Sequence, residues 1–153
     1  MTGRVLDPGG LDQFVRDARA NGARIVFTNG VFDILHPGHL RYLEAARRHG
    51  DLLIVGVNSD ASVRRNKGPE RPINPEHERA EVLAALACVD AVSIFDEETP
   101  AEIIRRVQPD ILVKGSDWPA DQIVGRDTVE ARGGRVILEP VEQGYSTSSI
   151  IEK

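Results

Sequence analysis

Five short runs of apolar and β-branched residues alternate with segments of helical spacing, and this alternation constrains the fold more than any other feature. The runs are Arg24 to Thr28, Leu52 to Val57, Ala91 to Phe95, Ile111 to Val113 and Arg135 to Leu138. The second is continuously apolar, the pattern of a strand buried on both faces. Leu11, Phe14, Val15 and Ala18 recur at helical spacing before Asn21-Gly22. Pro37 to His49 has proline in its first turn and Gly50 at its end. Pro75 to Ala87 places Val82, Leu83 and Leu86 on one side, and Thr99-Pro100 opens a helix carrying Ile103, Ile104 and Val107. Arg126 to Ala131 reads as a further helix, and Ser146 to Lys153 as a short capped one. Alternation with short connections predicts an α/β fold: a Rossmann-like, doubly wound, mostly parallel five-stranded sheet with helices on both faces. A chain of 153 residues fits one such domain, taken as residues 1–153.

Ligands of such sheets sit at the carboxyl ends of the strands. The predicted exits are Thr28-Asn29-Gly30, Asn58-Ser59-Asp60, Val113-Lys114-Gly115 and the segment beyond Leu138. Every unusual residue cluster in the chain lies at one of them. Composition narrows the ligand. Nineteen Lys and Arg against 24 Asp and Glu give a net charge of −5, which argues against nucleic acid as a partner. No apolar run is long enough to span a bilayer, and the first ten residues lack a signal-peptide pattern. The lone cysteine, Cys88, cannot pair internally, so a reducing, cytoplasmic setting is expected.

The strongest local signal is Asn29-Gly30-Val31-Phe32-Asp33-Ile34-Leu35-His36-Pro37-Gly38-His39, where a strand hands over to a helix. A helix start offers unpaired N–H groups and the positive end of the dipole, and phosphate binds there readily. Gly38 lets the backbone approach an anion, and two imidazoles can donate to its oxygens. The blander alternative makes His36 a helix cap and His39 a surface residue. Neither a Walker P-loop nor a G-x-G-x-x-G pattern is present.

This segment resembles the H-x-G-H signature of the nucleotidyltransferase superfamily, which includes the cytidylyltransferases and pantetheine-phosphate adenylyltransferase. Three further segments, Val57 to Asn74, Leu112 to Trp118 and Gly144 to Ile151, resemble the adenylyltransferases of D-glycero-β-D-manno-heptose 1-phosphate. Together the similar segments run from about residue 22 to residue 153. The resemblance implies transfer of AMP from ATP to a sugar 1-phosphate, giving ADP-heptose for lipopolysaccharide or a related glycan. It implies Mg²⁺ held mainly by the substrate phosphates, a homodimer or higher homo-oligomer, and a separate heptose kinase acting upstream. One departure matters. Val141-Glu142-Gln143 stands where the polyol-phosphate cytidylyltransferases carry the first part of R-T-E-G-I-S-T. A cytidylyltransferase acting on a polyol or amino-alcohol phosphate is therefore the second reading, and a non-catalytic nucleotide-binding domain the third.

The remaining constellations complete the expected site. Arg64, Arg65, Lys67 and Arg71 crowd a stretch rich in glycine and proline. Lysine occurs only at Lys67, Lys114 and Lys153, and a compact ammonium on a flexible stem at Lys67 suits a phosphate whose charge grows during reaction. Arg64 and Arg65 read equally well as solvated loop. Arg79 matches an arginine the superfamily uses near the phosphates, or else pairs on an exposed helix face with Glu76 or Glu78. Lys114-Gly115-Ser116-Asp117-Trp118 offers a backbone approach at Gly115, an acceptor at Asp117, and an indole at Trp118 that covers a base or packs. Gly144-Tyr145-Ser146-Thr147-Ser148-Ser149 makes a second helix start rich in hydroxyls.

The resulting expectation is specific. His36, His39 and Lys67 are the catalytic residues, with His39 nearest the reacting phosphate. Asn29, Gly30, Phe32, His36, Gly38, His39, Lys114, Gly115, Asp117, Tyr145, Ser146, Thr147 and Ser148 bind the nucleotide. Asp33, Asn58, Lys67, Arg71 and Arg79 bind the sugar phosphate.

Overall fold

The computed structural model describes residues 4–70, 72–116 and 122–140. Strands β1 (Arg4–Val5), β2 (Ile25–Gly30), β3 (Leu52–Asn58), β4 (Ala91–Phe95), β5 (Ile111–Gly115) and β6 (Arg135–Glu139) form one sheet in the order β1-β4-β3-β2-β5-β6. Every neighbouring pair is parallel. Helices α1 (Pro8–Ala20), α2 (Pro37–Arg47), α3 (Asp60–Lys67), α4 (Glu76–Ala84), α5 (Ala101–Val107) and α6 (Arg126–Ala131) connect them.

Alternation along each strand splits the core between two faces. Ile25, Phe27, Ile54 and Leu112 pack with Leu11 and Val15 of α1, Ile103, Ile104 and Val107 of α5, and Val129 of α6. Val26, Val55 and Val113 pack with Leu43 and Ala46 of α2 and Ala80 and Leu83 of α4. Helices thus cover both faces, as the sequence predicts. Among the described residues, no helix is long and apolar enough to cross a membrane.

Three expectations need correction. The sheet has six strands rather than five, because Arg4 and Val5 pair with Ala91 and Val92 at one edge. A two-residue strand is too short to show a period of two. The stretch after Asn58, expected as a loop and cap followed by a basic stretch, begins with α3. Ser59 caps that helix, its hydroxyl accepting from the Ser62 amide at 3.1 Å. The polar composition of Asp60 to Lys67 hides it from a reading based on apolar spacing. On α4, Val82 is 50% exposed rather than inward.

The order of the strands reverses at β2. The chain progresses from β2 through β3 to β4 on one side, then crosses to β5 and β6 on the other. The crevice at such a reversal is where ligands bind. The ladders there are unequal. β2 pairs with β3 as far as Gly30 with Val57, but with β5 only as far as Phe27 with Leu112. Beyond that point β2 and β5 are joined through side chains, and a space opens between them.

Candidate active site

The turn from β2 into α2 presents the two histidines. His36 has extended backbone, φ −146° and ψ 172°, and caps α2 with its Nδ1 accepting from the His39 amide at 3.4 Å. Pro37 follows in the first helical position, where its missing N–H costs nothing. The cap brings the rings together. His36 and His39 stack with centroids 3.8 Å apart and planes 21° from parallel. Phe32 meets His39 edge-on at 5.6 Å. His36 is thus a helix cap, and it also lies against His39.

Phe32 has φ +50°, a left-handed conformation that bulky residues rarely adopt. It is also buried. Strain of this kind persists where surroundings over-determine it, commonly at functional turns. Gly30 makes the arrangement possible, since a Cβ there would lie 2.9 Å from the Phe32 ring. Phe32, expected at the nucleotide, supports His39 from the side.

His39 is held neutral. Burial lowers its pKa from 6.5 to about 4, with the neighbouring His36 acting in the same direction and a hydrogen bond to the Ile34 backbone opposing them. Its Nδ1 is buried without a hydrogen-bond partner among the described residues. Orphaned buried polar atoms are uncommon in folded proteins. Protonation of the ring would turn it into a donor toward an anion at this helix N-terminus.

A cavity of about 410 Å³ lies beside this turn. Asn29, Gly30 and Val31 from β2 and its exit, Tyr42 from α2, Asn58 from β3, Val63 and Asn66 from α3, and Lys114 and Gly115 from β5 line it. Thr28 Oγ1 donates to the Val113 carbonyl at 2.9 Å, and the Tyr42 hydroxyl donates to the same carbonyl at 3.2 Å. Lys114 Nζ donates to Asn29 Oδ1 across the gap. Lys114 is only 9% exposed, and burial lowers its pKa to about 8.

The structure thus brings Asn29, Gly30, Asn58, Lys114 and Gly115 to one cavity, and Phe32, His36, Gly38 and His39 to the adjoining helix start. Asp33 and Arg79 make hydrogen bonds within the protein. The Asp33 carboxylate accepts from the backbone amides of Ile73 and Asn74, at 2.8 Å from each. Arg79 is buried, and donates to the carbonyls of Asn74 (2.9 Å) and Val31 (2.7 Å) and to Asp60 Oδ1 (2.8 Å). Neither Glu76 nor Glu78 is its partner; Glu76 instead accepts from the Asp60 amide at 2.9 Å. These residues brace the turn from β2 into α2 against α3 and α4. Arg71, Asp117, Tyr145, Ser146, Thr147, Ser148 and the side chain of Lys67 lie outside the described residues.

Sequence reasoning missed Tyr42 and Asn66. Tyr42 is a lone aromatic in a helix read only for its aliphatic spacing. Asn66 stands among cations that drew attention away from it. Among the described residues, no group of three or more His, Cys, Asp and Glu is placed to hold a metal ion. The donors at the α2 start are imidazole and backbone N–H groups, whereas Mg²⁺ takes oxygen ligands. An ion used here would arrive on the nucleotide's phosphates, as part of the substrate.

A parallel sheet with a histidine-bearing helix start and a cavity at its point of reversal defines an α/β domain of the nucleotide-binding type. Comparison with known proteins narrows this. A family profile of cytidylyltransferase-like proteins matches residues 27–153, and the chain belongs to that family of enzymes within the nucleotidyltransferase superfamily. It is 56% identical over 143 residues to the bifunctional protein HldE of Trichlorobacter lovleyi, covering 94% of this chain and 29% of that protein. It is 53% identical over 149 residues to the HldE of Bradyrhizobium diazoefficiens, covering 97% and 30% respectively. The chain therefore spans less than a third of these relatives. Among solved structures, a lipopolysaccharide core biosynthesis protein from Thermoplasma volcanium is 33% identical with a TM-score of 0.65, covering 79% of this chain and 98% of that one. A pantoate–β-alanine ligase from Francisella tularensis, 15% identical with a TM-score of 0.66 over 92% of this chain and 68% of that one, shares the fold.

Proposed function

We propose that this chain transfers AMP from MgATP to a sugar 1-phosphate, D-glycero-β-D-manno-heptose 1-phosphate, releasing pyrophosphate and forming ADP-heptose. The observation that carries the transfer reading is the stacked His36–His39 pair at the start of α2, with the His39 Nδ1 buried and unbonded. The choice of heptose rests on the resemblance of the segments from Val57 to Asn74 and from Leu112 to Trp118. Similarity to a lipopolysaccharide core biosynthesis protein supports the same direction.

The chemistry suits the residues present. An oxygen of the acceptor phosphate attacks the α-phosphate, a new P–O bond forms, and the bond to the β-phosphate bridge breaks. The nucleophile is already anionic at pH 7 and pyrophosphate leaves without needing a proton. No general base is required. Catalysis reduces to in-line placement and stabilisation of charge. His36, His39 and the start of α2 receive the triphosphate. Lys67 with Arg71 supplies positive charge. A kinase activity that makes the sugar 1-phosphate precedes this step.

The test is pyrophosphate release across a panel of nucleoside triphosphates against sugar, polyol and amino-alcohol phosphates. Turnover with ATP and the heptose 1-phosphate, and with no CTP pair, supports the proposal. Turnover only with CTP would move the chain to the cytidylyltransferases proper.

A further inference from the structure

The cavity at the exits of β2, β3 and β5 contains a charge that the described protein does not balance. Among the described residues its lining presents four neutral hydrogen-bonding side chains, Asn29, Tyr42, Asn58 and Asn66, together with Lys114, and no carboxylate. An ammonium has three donors. The hydrogen bond that Lys114 makes among the described residues goes to the neutral amide oxygen of Asn29. A buried cation without a counter-charge is costly, and a bound ligand that supplies acceptor oxygens or negative charge removes that cost. With Oδ1 committed to Lys114, Asn29 keeps its Nδ2 as a donor toward the same space.

In-line displacement indicates which substrate the cavity serves. The attacking and leaving oxygens lie on opposite sides of the α-phosphate. The two histidines at the start of α2 do not line the cavity. If they take the leaving end, the cavity serves the attacking substrate. At about 410 Å³ it falls within the range of small-molecule sites.

We infer that Lys114, held by Asn29, sets the acceptor class: the cavity takes the phosphate ester of a neutral, polyhydroxylated sugar and rejects an acceptor that carries an amine. This rests on the transfer reading above. Sugar hydroxyls both donate and accept, as asparagine amides and a tyrosine hydroxyl do. An alkylammonium would enter beside a buried like charge, with no carboxylate among the described lining residues to receive it, and specificity built on such repulsion is effective.

The experiment compares the protein with Lys114→Gln, using ATP with heptose 1-phosphate or with ethanolamine phosphate. The unaltered protein should release pyrophosphate with the first and not the second. Lys114→Gln should raise KM for heptose 1-phosphate by about tenfold or more, as loss of a charged hydrogen bond does, while KM for ATP stays within about threefold. A rise in KM for ATP alone, or equal use of both acceptors by the unaltered protein, overturns the inference. If no pair is turned over, the transfer reading fails separately, and binding decides the inference. Heptose 1-phosphate should then raise the melting temperature of the unaltered protein but not of Lys114→Gln, and ethanolamine phosphate should raise neither. Any other pattern of shifts overturns it. The variant removes a buried charge, so its own melting temperature should not fall below that of the parent.

Discussion

Arg79 Nη2 donates to Asp60 Oδ1 at 2.8 Å from a side chain with no exposed surface. The same guanidinium holds the carbonyls of Val31 and Asn74. One residue thereby joins the turn from β2 into α2, the loop before α4 and the first turn of α3. Arg79→Ala would leave a carboxylate and two carbonyls without their donor. The expected loss is about 3 kcal/mol, at the low end for a broken buried pair because Asp60 keeps a quarter of its side-chain surface. Urea unfolding should show a lower midpoint at unchanged slope. A loss below about 1 kcal/mol, combined with a large rise in acceptor KM, would return Arg79 to direct contact with substrate.

His39→Ala should reduce turnover by about 10²–10³, as removal of one charge-stabilising donor does, with only modest loss of ATP binding. Stopped or steady-state pyrophosphate release and a separate ATP titration would distinguish the two effects. Unchanged turnover would remove His39 from the reacting phosphate.

The alternation of strands and helices was legible because each buried strand shows its pattern locally. Leu52–Asn58 is apolar because helices cover both of its faces, and Arg126–Ala131 is bounded by glycines that mark its ends. The edge strand Arg4–Val5 was not legible, since its pairing with Ala91 and Val92 is a long-range event. The site divided in the same way. His36 and His39 are close in sequence, and the helix start fixes their relation. Arg79 meets Asp60 and Asp33 meets Ile73 across folded elements. Sequence marked them as unusual but could not show that their hydrogen bonds point inward. The short β2–β5 ladder, which opens the cavity, depends on register and leaves no local trace.

Stability should fall in mild acid because of His39. Its pKa is about 4 in the folded protein, against the ordinary histidine value of 6.5 that holds for the unfolded chain. Between these values the unfolded chain binds a proton that the folded one refuses. The stability is fully present above pH 6.5 and is lost as pH falls toward 4. Melting temperatures measured across this window should decline less steeply for His39→Gln than for the parent. The ring should also titrate near 4 by NMR and move upward when pyrophosphate is added, since a neighbouring anion favours the charged imidazole. An ordinary titration in the free protein would show that water reaches the ring.

Lys114 gives the opposite signature, at the alkaline end. Its pKa is lowered by burial from 10.5 to about 8. Below pH 8 the residue is charged in both states and the folded protein bears the full cost of burying it. As pH rises from 8 to 10.5 that cost declines, and above 10.5 it is gone. Lys114→Met should therefore stabilise the free protein at pH 7, by about 2 kcal/mol once the lost hydrogen bond to Asn29 is set against the relieved burial. The gain should shrink steadily between pH 8 and 10.5. Denaturant midpoints of the two proteins across that range read it directly. A variant that is less stable than its parent at pH 7 would mean that the ammonium has a counter-charge, and the cavity would lose its claim to repel amines.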